Sequence, residues 1–384
     1  MRHENQVAMI KRLFDHIDTG TTTMADGLYK NPVRNYSSED RLKKEQNVLF
    51  RDYPLFVGLS GRLAENGCYA SEMLGQVPTI LVRDQQGVFR AFFNACRHRG
   101  APVAEGCGKA SRLTCPYHSL TYGMDGKLRG IPDAKSFDGF DKSENGLVEF
   151  AAFEKHGMLY VVPKPKAEVA LADIDEHLAG LEDDFAAYDL GKFHHFKDAT
   201  LEREMNWKIC PETFMEGYHL QYLHPVSVGP LFFSNLMVFD AFGRNSRLTL
   251  PRRSLESLRD ADEADQELIT HTAIIYTMFP NVTMVVQAGH IEMWRPYPDP
   301  ENPGKCRVEF SLYTPKPFAG NASAEKFYQS NMNLAMRTVD DEDFVLSRKI
   351  QQGHNAEMQP ELTYGLNEPA LGHYAESIRT ALAE

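Results

Sequence analysis

The sequence predicts an α+β protein in two parts: a small all-β domain followed by a larger domain of strands and helices. Three observations carry this. Between residues 53 and 163, short β-rich runs are punctuated by glycine. Pro163-Lys164-Pro165 is a stiff run that suits a boundary. Beyond it, strand-like runs precede a long helical pattern, the order of an α+β domain. A chain of 384 residues is long enough for two such domains.

Taken in order, residues 1–52 are charged and helix-prone, with LKKEQNVLF as an amphipathic stretch. They are expected to form a helical segment packed on the second domain. In the all-β block (53–163), runs 79–84 and 88–94 flank Gln85-Gln86-Gly87 and read as a hairpin. Asp125-Gly126, inside 122–128, signals a second tight turn. The second domain (164–384) opens with a helical stretch, 171–188. The segment 206–224 follows, then a charged run, 252–267, read as a solvated helix or a lid. Strand-like runs cover 272–279, 282–287 and 306–313, and a long helical pattern covers 323–353. No internal repeat or low-complexity tract interrupts this order.

Composition narrows the function. Hydrophobic and charged fractions of 42% and 24% fit an ordinary globular protein. A net charge of −12 argues against nucleic-acid and anionic-membrane partners. No stretch approaches the roughly 20 apolar residues of a membrane helix. The first residues, MRHENQVAMIKRLFDHIDTG, lack the features of a signal peptide, so a cytoplasmic location is expected. Six cysteines in this length do not make a disulfide framework.

Two of those cysteines sit beside histidines. Cys96-Arg97-His98 and Cys115-Pro116-Tyr117-His118 form a C-x-H … C-x-x-H pair, each half offering one thiolate and one imidazole. Two Cys on one iron and two His on the other is the ligand set of a Rieske [2Fe–2S] centre. A Cys₂His₂ zinc site uses the same atoms, although zinc fingers usually pair Cys with Cys and His with His. Cys107, between Gly106 and Gly108, reads as a loop thiol outside the ligand set.

A second constellation lies in Glu216-Gly217-Tyr218-His219 … His224-Pro225. On a helix Glu216 and His219 are neighbours. His219 and His224 would stand about 140° apart on a regular helix, so a break is expected between them, with Pro225 barring continuation. Two His and one carboxylate make the facial triad of non-haem Fe(II) oxygenases. The bland alternative is two surface histidines on an amphipathic segment. A carboxylate is offered by the C-terminal helical pattern. Met332, Met336, Val339, Asp343, Leu346 and Ile350 form an apolar stripe on which Asp343 is the only charge. Buried there, Asp343 needs a partner, and a metal would serve; an internal Arg or a helix cap would also satisfy it. Asp340, Asp341 and Glu342 fall off the stripe and read as solvated.

NACRHRG … CPYHSLTYGMDGKL resembles the Rieske domain of ring-hydroxylating and related oxygenases, in their large (alpha) or only subunit. The run Glu212-Thr213-Phe214-Met215-Glu216-Gly217-Tyr218-His219-x₄-His224 resembles that family's catalytic motif. Glu342-Asp343 with Gln351-Gln352-Gly353, and Phe279-Pro280-Asn281, resemble further family segments. Three departures stand out. Ser119-Leu120 replaces the common Gly-Trp, Thr213 replaces Asn, and Glu216 replaces Asp.

The resemblance implies a small all-β Rieske domain plus a helix-grip catalytic domain, an antiparallel sheet around a long C-terminal helix. Per subunit it implies one [2Fe–2S] cluster, on Cys96, His98, Cys115 and His118, and one mononuclear Fe(II), on His219, His224 and Asp343. Glu216 is implied to connect an iron histidine to a Rieske histidine of the neighbouring subunit in a homotrimer. The implied activity is terminal oxygenation with O₂ on a small organic substrate. Electrons would come from a ferredoxin or NAD(P)H-dependent reductase, since the chain has no flavin or nicotinamide fingerprint. Mono- or dioxygenation of a compact aromatic, in aromatic hydrocarbon catabolism, is the first expectation. Hydroxylation or N-demethylation of a quaternary ammonium compound, suggested by Glu216, is the second. A Rieske electron carrier and a zinc-stabilised binding module are the alternatives of other classes. Met278, Met284 and Trp294 read either as pocket residues or as core.

Overall fold

Short turns set the smaller of two units. In the computed structural model, which describes residues 1–168 and 173–384, Gln46–Glu176 with Leu190–Lys192 form one unit. Met1–Glu45, His177–Asp189 and Phe193–Glu384 form the other. The chain thus passes between the two compact units at 45–46, 176–177, 189–190 and 192–193.

The smaller unit contains strands β1 (Leu55–Leu59), β2 (Cys68–Leu74), β3 (Val77–Arg83), β4 (Phe89–Phe93), β5 (Cys107–Lys109), β6 (Arg112–Thr114), β7 (Thr121–Gly123), β8 (Leu128–Gly130), β9 (Glu149–Lys155) and β10 (Met158–Pro165). One antiparallel sheet has the order β1-β10-β9-β4-β3-β2-β5 and a second has β6-β7-β8. Both expected hairpins form. Between β3 and β4, Asp84 Oδ1 accepts the N–H groups of Gln86 and Val88, both at 2.9 Å. Gly87 supplies the left-handed residue, at φ 81°. Ile80, Val82, Phe92, Leu113, Leu120, Tyr122 and Met124 form a core that also contains Cys96 and Cys115.

The larger unit is built on β11 (His194–Arg203), β12 (Val238–Phe242), β13 (Asn245–Pro251), β14 (Thr272–Met278), β15 (Val282–Val286), β16 (Ile291–Pro298) and β17 (Cys306–Thr314). Their order is β11-β17-β16-β15-β14-β13-β12, antiparallel throughout. Strands β14 and β15 are buried along their whole length, so both sheet faces are covered. Met278, Met284 and Trp294 belong to the core.

The C-terminal helical pattern is real but interrupted. Helix α1 (Ala322–Thr338) runs through a π turn (Val339–Asp343) into α2 (Phe344–Asn355). Met332, Val339 and Asp343 are buried as the stripe required, but Leu346 and Ile350 are 41% and 43% exposed. Beyond the turn the buried positions are Phe344, Ser347, Gln351 and His354. A π turn inserts one residue into the helical repeat, so the inward face moves from 346 and 350 to 347 and 351.

Other expectations shift locally. The charged run 252–267 forms short 3₁₀ turns, not a regular helix, with Leu255 and Leu258 buried. The stretch 171–188 becomes Asp173–His177 and Glu182–Tyr188, while 171–172 lie outside the described residues. Among the described residues, no helix is long and apolar enough to cross a membrane.

Candidate metal centres

The first constellation sits on two loop tips. Gly100 N–H donates to Cys96 O (2.9 Å) and Cys96 N–H to Ala101 O (2.8 Å), closing one loop. Ser119 N–H donates to Cys115 O (3.0 Å) and Cys115 N–H to Leu120 O (2.9 Å), closing the other between β6 and β7. Both thiols are free and buried, whereas His98 is half-buried and His118 exposed. The two imidazoles lie 4.7 Å apart, centroid to centroid. Buried His98 Nδ1 has no hydrogen-bond partner. Two sheltered thiols, two adjacent imidazoles and an orphaned ring nitrogen suit a mixed Cys/His metal centre. Cys107 lies apart, exposed on β5.

Sequence reading missed Tyr122 as part of this site. Its hydroxyl accepts the Arg97 N–H at 3.0 Å and lies 3.3 Å from Cys96 Sγ. A cluster-bound thiolate has no proton to give, so with the cluster in place the O–H would donate to the sulfur. Burial, then the bond to Cys96, raises the Tyr122 pKa, so this donor stays protonated.

The second constellation is brought together by a turn, a short helix and the π turn. The expected break occurs before His219, not after it. Helix Ile209–Glu212 ends, and His219 opens the short helix Leu220–Leu223, which stops at His224. Glu216 replaces helical geometry with its own side chain. It accepts the N–H groups of Tyr218 and His219, the latter at 3.0 Å, and contacts His219 Nδ1.

His224 Nδ1 is held by Glu342 at 2.5 Å, and Ser227 Oγ donates to the same carboxylate at 2.7 Å. Each imidazole thus gives Nδ1–H to a carboxylate and turns Nε2 inward. The Nε2 atoms of His219 and His224 lie 3.7 and 3.2 Å from Asp343 Oδ1. Ligands about 2.1 Å from a metal at right angles stand about 3 Å apart, so the three donors fit one ion. Burial opposes charge on His224, but Asp343 and Glu342 outweigh it and raise its pKa, which marks a site that attracts positive charge.

Glu342 corrects the sequence reading. It is 23% exposed and bonded to His224. Asp340 is also engaged, in a two-point contact with Arg203. Only Asp341 of the three is exposed.

A cavity of about 330 Å³ opens on this triad. Its walls include Phe214, Phe232, Ile275, Val285 and Phe327, with Arg252, Gln287, His290 and Glu292 among the polar residues. Met278, Met284 and Trp294 do not line it.

Comparison with known proteins agrees with this geometry. Residues 54–163 match the Rieske [2Fe-2S] domain, and residues 190–384 match the ring hydroxylating alpha subunit (catalytic domain). The chain belongs to the ring-hydroxylating alpha-subunit family, whose two domains carry a Rieske cluster and a mononuclear iron. The glycine betaine monooxygenase oxygenase subunit of Chromohalobacter salexigens is 34% identical over 204 residues, 52% of this chain and 44% of that protein. The chain spans about half the length of the curated relatives it matches.

Among solved structures, the quaternary ammonium Rieske monooxygenase CntA in complex with L-carnitine has a TM-score of 0.78 at 17% identity, covering 94% of this chain and 96% of that one. Naphthalene 1,2-dioxygenase from Rhodococcus sp. bound to indole has a TM-score of 0.76 at 16% identity, covering 98% of each chain. These likenesses establish the fold. The catalytic-domain match argues against a simple electron carrier, and the Rieske match against a zinc module.

Proposed function

We propose that the protein is a terminal oxygenase component that uses O₂ and externally supplied electrons to oxidise a small organic substrate. The carrying observation is the triad of His219, His224 and Asp343, whose ligand atoms lie within 4.8 Å of one another at the head of a largely apolar cavity. In this reading Cys96, His98, Cys115 and His118 hold the cluster. When bound, the cluster supplies one-electron transfer and the iron supplies O₂ activation.

The chain's own residues set the conditions. Glu216 and Glu342 keep the protons of His219 and His224 on Nδ1, leaving Nε2 free as a donor atom. Phe214, Phe232, Ile275 and Val285 exclude water from the substrate's reacting end. Replacing Asp343 by Ala should remove the mononuclear iron and turnover while leaving the cluster's EPR signal. Asp341→Ala should retain both metals. Equal behaviour of the two variants, by iron analysis and EPR, would refute this ligand assignment.

For the substrate we favour a quaternary ammonium compound over the aromatic first suggested by sequence. Two of the three relatives named above are named for quaternary ammonium compounds, against one naphthalene dioxygenase, and Glu216 points the same way as the two. Substrate-dependent NADH consumption in a donor-coupled assay, with product mass, separates betaines from aromatic acids.

Glu216 also carries the proposed inter-site contact. It binds one face of His219, and a Rieske histidine of a second copy would take its other side in a homotrimer. Glu216→Gln should keep both metals yet slow oxidation of a pre-reduced cluster. A monomer by sedimentation at working concentration would remove the arrangement. A ferredoxin or NAD(P)H-dependent reductase is the proposed donor.

A further inference from the structure

Arg252 stands out on the cavity wall. It is half-buried, held at the backbone by a 2.9 Å bond from its N–H to His271 O. Its guanidinium lies over the Phe232 ring, 5.2 Å from the centroid. Nη2 donates to Gln287 Oε1 at 2.6 Å, and Nε reaches Thr272 O only at 3.5 Å. Among the described residues, Nη1 has no hydrogen-bond partner and the group makes no ion pair. Other sheltered arginines are treated differently. Arg247 is held by Asp184 and Asp240, Arg83 by Glu154, and Arg203 by Asp340.

Leaving a guanidinium half-buried against a neutral amide and an aromatic face is costly unless an anion completes it. Desolvation lowers the Arg252 pKa, and Glu292 is the carboxylate whose field opposes that. Glu292 is itself committed elsewhere, to His290 Nε2 at 3.1 Å and Trp294 Nε1 at 3.2 Å. Phe232 and Gln287, which fix the guanidinium from two sides, line the same cavity as the triad.

We propose that Arg252 anchors an anionic group of the substrate, a carboxylate, and so restricts the cavity to compact organic acids. This rests on the oxygenase reading only in placing the substrate in this cavity. Under the quaternary ammonium reading, the substrate becomes a betaine-type zwitterion. The carboxylate completes the guanidinium fork with charge-assisted hydrogen bonds, and Gln287 and Phe232 hold that fork ready. Arg252 is thus a specificity-determining residue.

The test is calorimetric binding to the metal-loaded protein, without turnover. The probes are glycine betaine, L-carnitine and benzoate, each paired with its amide. At least one acid should bind about tenfold or more tightly than its amide. Arg252→Gln should weaken that acid by about the same factor and leave the amide unchanged, while Arg252→Lys should restore part of the preference. The cluster's visible spectrum and the thermal midpoint report that each variant is folded. If every acid binds no better than its amide, or if Arg252→Gln keeps the preference, the anchor is refuted. Failure of the oxygenase reading would appear separately, as absence of substrate-dependent oxidation by protein that binds these probes.

Discussion

Tyr122 was legible only as part of a hairpin, yet its hydroxyl faces Cys96 Sγ while accepting the Arg97 N–H. A hydrogen bond to a cluster sulfur favours the reduced, more negative state. Tyr122→Phe should therefore lower the cluster's reduction potential in an EPR-monitored titration, with unchanged iron content. An unchanged potential would mean the O–H is not directed at the sulfur. Ser119 makes a complementary point. It stands where the family commonly has glycine, and its φ of 58° lies in the left-handed region. Left-handed backbone costs a non-glycine residue about 1–2 kcal/mol, so Ser119→Gly should raise the thermal midpoint while Ser119→Ala should not. The proposed ligands at 96–118 and 219–224 were readable because thiols and imidazoles are informative at short spacing, and Asp343 because it is the one charge on an apolar stripe. Glu342 was misread because its role depends on where a turn of helix points, not on the residues beside it.

At the scale of elements, the sequence was clearest where local chemistry decides the outcome. Gln85-Gln86-Gly87 and Asp125-Gly126 each made the expected hairpin. It set out no strand-like run at β16, which carries Pro296 and Pro298 where only β17 pairs with it and joins β15 through residues 291–294. It also failed at β11, an edge strand rich in charge. The π turn is the most consequential miss, since a regular stripe predicted Asp343 correctly and Leu346 wrongly. The extra residue lets α1 and α2 each bury a suitable face while Glu342 and Asp343 turn toward the histidines. Removing exposed Asp341 should restore a regular helix and rotate both Glu342 and Asp343 around its axis. The deletion variant is expected to keep its helicity by circular dichroism and its cluster, but to lose the mononuclear iron. Full iron occupancy after the deletion would show that the π turn is not what aims the carboxylates.

For the molecule as a whole, charge is distributed in a way that bears on the proposed electron donor. The chain carries −12, yet residues 97–129 hold six basic side chains against Glu105 and Asp125. Arg97, Arg99, Lys109, Arg112, Lys127 and Arg129 are all exposed. The structure refines which of them are available. Lys109 is paired with Glu65 and Arg129 with Asp125, while Arg99 lies over Tyr117 beside His118. Among the described residues, Arg97, Arg112 and Lys127 have no acidic partner. A basic patch on the small unit that carries the proposed cluster ligands, within an acidic chain, would steer an acidic partner toward them. Such steering acts between exposed charges and is screened beyond about 8 Å near physiological salt. Reduction of the cluster by an acidic ferredoxin or reductase domain should therefore slow as salt rises from low ionic strength. Arg112→Glu with Lys127→Glu should raise the donor's apparent KM several-fold and flatten the salt dependence, leaving the cluster's potential unchanged. Arg129→Glu, which disturbs a charge already paired with Asp125, should do less. A reduction rate indifferent to both salt and the double reversal would place donor docking on another face.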